Sequence, residues 1–84
     1  MLEWPDWYDW ELEFNAHLEE RMKDRNFNEV DLRLMIETAV GYRPDHVEGR
    51  WIIDAVHDGQ AWEVIVEPFP DEQTLMVVTA YAPD

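Results

Sequence analysis

Apolar positions at Leu32, Met35, Ile36 and Ala39 follow the i, i+3, i+4, i+7 spacing of one helix face. The spacing predicts an amphipathic helix with Asn28 as its N-cap, Asp31 three residues on, and Gly41 as its stop. Upstream, residues 10–14 (WELEF) alternate apolar and acidic, as a short half-buried strand does. Asn15 then caps a helix over residues 16–25, whose apolar contacts are Leu18 and Met22. Asn26 tolerates the left-handed conformation that ends helices, so the two helices form a hairpin with a very short turn.

Beyond Arg43 the period changes to two. Residues 45–48 read as a short edge strand before a turn at Gly49. Residues 50–57 and 61–67 flank Asp58-Gly59, a strong two-residue hairpin signal. That loop fixes the register, placing Ala55 opposite Trp62, Ile53 opposite Val64 and Trp51 opposite Val66 as one apolar face. The other face pairs Arg50 with Glu67, Ile52 with Ile65 and, unfavourably, Asp54 with Glu63. Residues 68–73 turn the chain. Residues 74–81 form a last strand, apolar enough to be central and covered on both sides. The fold class is therefore α+β: an N-terminal short strand and a helical hairpin packed on a three- to five-stranded antiparallel sheet. The organisation is an acidic, Trp-rich arm over residues 1–9 and a single domain over residues 10–84.

Composition sharpens this picture. The chain has 84 residues with 20 acidic and 6 basic side chains, a formal charge of −14, and no cysteine. A length of this order allows one small core. Without thiols there is no disulfide framework and no thiolate site. No apolar run spans a bilayer, and the acidic stretch Met1 to Trp10 lacks the basic region of a signal peptide. The expectation is a cytoplasmic protein that avoids membranes. The charge also opposes diffuse binding to nucleic acid, which draws on Lys and Arg neutralising phosphates. The bases are confined between Arg21 and Arg50, whereas the first 13 residues hold acids alone.

Few residues carry recognisable chemistry. His17, Arg21 and Arg25 fall at i, i+4, i+8 along one helical stripe. An imidazole with guanidinium groups suits general acid–base work on a phosphate, and equally suits packing and ion pairing with Glu20, Asp24 or Glu29. His46 and His57 read as polar residues flanking turns. The histidines lack metal-ligand spacing, so neither metal nor cofactor is expected. Thr79 and Tyr81 lie near the end of the last strand, where they either pack or face a groove. Trp4, Trp7 and Trp10 recur every third residue, suited to an arm folded back on its own domain or to one donated to a partner.

The run His17-x3-Arg21-x3-Arg25 leads into Phe27-Asn28-Glu29-Val30-Asp31-Leu32. It is followed by Gly49-Arg50-Trp51, Trp62-Glu63-Val64-Ile65-Val66 and Val77-Val78-Thr79-Ala80-Tyr81. Over residues 10–82 this ordering resembles a family of small uncharacterised bacterial domains similar to RelE/ParE-type toxins. The resemblance implies a RelE-like scaffold in which an open sheet face grips RNA. It assigns His17, Arg21, Arg25, Arg50 and Tyr81 to the catalytic groove of an endoribonuclease from a toxin–antitoxin pair. The chain departs from such basic proteins in its charge. RNA is expected only through a local basic groove. The alternative is a non-catalytic acidic interaction module on the same scaffold: a regulator, an inhibitor, or a homo-oligomer joined through Trp4, Trp7 and Trp10.

Overall fold

A computed structural model describes residues 4–83. A 3-10 turn at Asp6–Asp9 leads into β1 (Glu11–Phe14), α1 (Ala16–Arg25) and α2 (Glu29–Glu37). The strands β2 (Gly41–Pro44), β3 (Trp51–His57), β4 (Gln60–Phe69) and β5 (Thr74–Tyr81) follow. The architecture is α+β, with two helices on one face of a five-stranded sheet ordered β1-β5-β4-β3-β2.

Both helices begin on asparagine side chains. The Leu18 N–H donates to Asn15 Oδ1 at 2.7 Å, and Asn26 closes α1 in the left-handed conformation at φ 58°. Asn28 and Asp31 form a reciprocal capping box, each accepting the other's backbone N–H at 3.0 Å. This satisfies donors that a helix start leaves without partners. Leu18 of α1 and Leu32, Met35 and Ile36 of α2 are buried against the inner sheet face. That face is built from Ile53, Ala55, Trp62, Val64, Val66, Leu75, Val77 and Ala80.

The β3–β4 hairpin has the expected register, Trp51 opposite Val66 through His57 opposite Gln60. Asp58 and Gly59 both take positive φ (52° and 74°), the primed turn that matches strand twist.

Several boundaries differ from expectation. The second helix stops at Glu37, well before Gly41: Thr38 leaves the helical dihedrals (φ −104°, ψ 16°), and its hydroxyl donates back to the Leu34 carbonyl. Gly41 instead opens β2, and the Val40 N–H already donates to the Asp54 carbonyl. The edge strand therefore lies at Gly41–Pro44, not at 45–48, which form a tight loop closed by Asp45 N–H to Arg50 C=O at 3.0 Å. Pro44 has no N–H with which to continue the ladder. Strand β4 runs on through Pro68 and Phe69, which shortens the following turn.

The sheet is mixed rather than antiparallel: β1 pairs parallel with β5, Glu11 with Thr74 through Phe14 with Val77. Strand β5 is interior to the sheet but not covered on both sides. Its inner residues Leu75, Val77 and Ala80 are buried, while Met76, Thr79 and Tyr81 are only half-buried. A bulge opposite Ile65/Val66 adds Val78 to β5 and so breaks the strict alternation.

Candidate functional site

The sheet separates the resemblance-derived residues into two groups. His17, Arg21 and Arg25 stay together on α1. With Glu20 and Asp24 they line a shallow pocket of about 270 Å³. His17 and Arg25 are exposed, while Arg21 is half-buried and its Nε is enclosed without a hydrogen-bond partner. The helical periodicity that suggested the stripe holds, and it brings two acids in with the bases.

Arg50 and Tyr81 lie elsewhere, on the outer sheet face. Alternation puts Arg50, Ile52, Asp54, Glu63, Ile65 and Glu67 opposite the core-facing residues of β3 and β4. Arg50 Nε donates to Glu67 Oε1 at 3.1 Å, as the hairpin register predicts. Tyr81 donates its hydroxyl to Glu63 Oε1 at 2.6 Å. The five residues thus fall into two groups, His17, Arg21 and Arg25 on α1 and Arg50 and Tyr81 bonded to carboxylates of the sheet.

The Asp54–Glu63 pair is not left in repulsion. Arg43, on β2, reaches across β3 and bonds Asp54 (Nε at 3.3 Å, Nη2 at 3.2 Å) and Glu63 (Nη2 at 2.7 Å). The hydrogen bond to Asp54 is the main cause raising the Arg43 pKa, with further support from the charges of Asp54 and Glu63. The bond to Glu63 is likewise the main cause raising the Tyr81 phenol, with burial adding to it. Sequence reasoning misses Arg43 because it expects the edge strand at 45–48, just past this residue. In a strand starting at Gly41, Arg43 and Tyr42 fall on opposite faces.

The tryptophans pack inward. Trp4 lies against Tyr8 and Tyr42 at centroid distances of 4.4 and 5.0 Å. Trp7 packs on Trp51 at 5.8 Å and edge-on to Tyr42 at 6.0 Å. Trp10 joins the core margin, and its carbonyl accepts from Arg33 Nη2 at 2.7 Å. Tyr8 donates its hydroxyl to the Ile36 carbonyl, tying the 3-10 turn to α2. Residues 4–10 are packed back on the domain. Residues 1–3 lie outside the described residues.

His57 is more enclosed than its place beside a turn suggested. Its side chain is 17% exposed, edge-on to Trp62, with Nε2 3.6 Å from Asp58. His46 stands in solvent beside Asp45. Among the described residues no three His, Cys, Asp or Glu side chains are grouped to hold a metal. No described helix is long and apolar enough to cross a membrane.

Two residues that sequence reasoning passed over are the exposed Val30 and Leu34 of α2. Their i, i+4 spacing on the side away from Leu32 and Ile36 was the available signal. They form part of a groove of about 440 Å³ between α2 and the start of β1. Comparisons with family models, with curated proteins and with solved structures find no match to this chain.

Proposed function

We propose that this protein is a non-catalytic, acidic protein-interaction module on a toxin-like scaffold. One observation carries the reading. The outer sheet face, which would have to grip RNA, spends its cations on its own carboxylates: Arg43 on Asp54 and Glu63, and Arg50 on Glu67. A phosphate approaching that face meets neutralised guanidinium groups within a body of net charge −14. Nucleic-acid affinity rests largely on phosphate charges neutralised by free Lys and Arg, so the face offers little to a phosphate chain. A basic protein surface meets the reverse situation and is attracted over the whole molecule.

The test is direct. Purified protein mixed at low salt with labelled single-stranded RNA is expected to leave it unbound and intact, and expression is expected to be harmless to the host cell. RNA cleavage that disappears in His17→Ala or Arg21→Ala would overturn the reading.

A second reading, an endoribonuclease of a toxin–antitoxin pair, is favoured by a different observation. His17, Arg21 and Arg25 share one pocket, and the Arg21 Nε there has no partner. Glu20 and Asp24 line the same pocket and compete with a phosphate for both guanidinium groups. The same RNA assay decides between the two readings.

A further inference from the structure

Helix α2 is apolar on two sides. Leu32, Met35 and Ile36 face the core and are buried, yet Val30 is 75% exposed and Leu34 53% exposed on the side turned away from them. Neighbouring apolar side chains exposed on a helix's outer side form a surface that the fold's own core does not use. The start of β1 borders this outer side. Together they enclose the groove of about 440 Å³, within the roughly 300–1,000 Å³ range of ligand clefts. Its apolar floor is Leu12, Val30 and Leu34, and its rim carries Glu11, Glu29 and Glu37. The single cation of the lining, Arg33, is held by its hydrogen bond to the Trp10 carbonyl.

The geometry points to this groove as the docking site for a basic amphipathic helix of another protein. The inference rests on the interaction-module reading and gives that module its contact surface. Apolar side chains at i and i+4 of the incoming helix would seat on Val30 and Leu34, with flanking Lys and Arg meeting the three rim carboxylates. Charge complementarity selects this occupant. A second copy of the chain would bring its own acidic rim and another −14 of net charge against the first. Strand addition is the lesser option, since the free edge of β1 belongs to a four-residue strand carrying Glu11 and Glu13.

The test uses a labelled synthetic peptide of about 18 residues, long enough to form a helix, with leucines on one face and lysines elsewhere. A control peptide has the same composition with the leucines scattered around the helix. The full chain is compared with the double variant Val30→Ser/Leu34→Ser and with Glu29→Lys/Glu37→Lys. Circular dichroism checks that each variant is folded, and amide shift mapping locates the bound peptide. The expected result is tighter binding of the amphipathic peptide than of its control, with shifts clustered on α2 and β1. Each variant should weaken binding by about tenfold or more, the scale of losing apolar or charged contacts from an interface centre. Equal binding of both peptides, or binding undiminished in both variants, overturns the groove.

Selective binding that maps to another face overturns the groove and leaves the interaction module standing. RNA cleavage by the wild-type chain overturns the module itself. Self-association in sedimentation that is lost in the Val30→Ser/Leu34→Ser variant would give the groove to a second copy and overturn the basic partner.

Discussion

At the residue scale, Arg43 controls the outer sheet face. It stands between two carboxylates that the hairpin register forces opposite one another. Arg43→Met is expected to lower the thermal midpoint by a few degrees, and thermal scans should show the loss shrinking with added salt, because what remains is like-charge repulsion. Tyr81→Phe removes one donor to Glu63 but leaves Arg43 in place, so its effect should be smaller. Two phenols are held above their ordinary pKa. Burial raises Tyr8, aided by the charge of Glu37 and opposed by Arg33, and the bond to Glu63 raises Tyr81. A raised folded pKa favours the protonated phenol in the native state. That contribution is complete below the unfolded value of about 10 and is lost as pH climbs through the folded values. Urea midpoints should therefore fall as pH rises above about 10, and the Tyr8→Phe/Tyr81→Phe variant should flatten that fall. Tyr8→Phe should also cost about 1 kcal/mol at neutral pH, the usual net value of a hydrogen bond. Candidate-site chemistry was only half legible at this scale. Helix periodicity correctly keeps His17, Arg21 and Arg25 on one stripe. It says nothing about which sheet face Arg50 and Tyr81 occupy relative to that stripe, and so it could not show that the two groups are separated.

At the element scale, the most legible pieces were those whose boundaries are set by local chemistry. Asn15, Asn28 with Asp31, and Asp58-Gly59 each fix a helix start or a turn through bonds or dihedrals within a few residues. Gly41 misled because a glycine after a helical pattern ordinarily marks its end, whereas here Thr38 ends the helix and Gly41 enters a strand. The parallel β1–β5 pairing had no local signature, since its partners lie near opposite ends of the chain. Asn15 joins the local and distant levels. Its Oδ1 caps α1, and its Nδ2 donates to the carbonyl of Val78 at the β5 bulge, at 3.4 Å. Asn15→Ala should cost about 1–2 kcal/mol in chemical denaturation, the upper part of the range for a lost cap. Asn15→Asp keeps the acceptor and loses the donor, so it should fall between wild type and Asn15→Ala.

At the scale of the whole molecule, charge gives folding and binding opposite responses to salt. A net −14 on 84 residues repels itself when compact, so the thermal midpoint should rise as NaCl goes from about 10 to about 150 mM. Affinity for a basic peptide should fall over the same interval, because the attraction that steers it is screened. A rise in both would detach partner binding from electrostatics. The parallel placement of β1 on β5 also has a mechanical meaning. Tension applied through the chain before β1 and after β5 draws the two strands past one another, so their shared hydrogen bonds bear the load together rather than in turn. Pulling on positions 50 and 68 instead opens the β3–β4 hairpin from its free ends, one bond pair after another. In a single-molecule force experiment the protein should yield at a distinctly higher force in the first geometry than in the second. A fold of this size would then be a directional clasp, firm when drawn along its terminal strands and weak when unzipped from its middle.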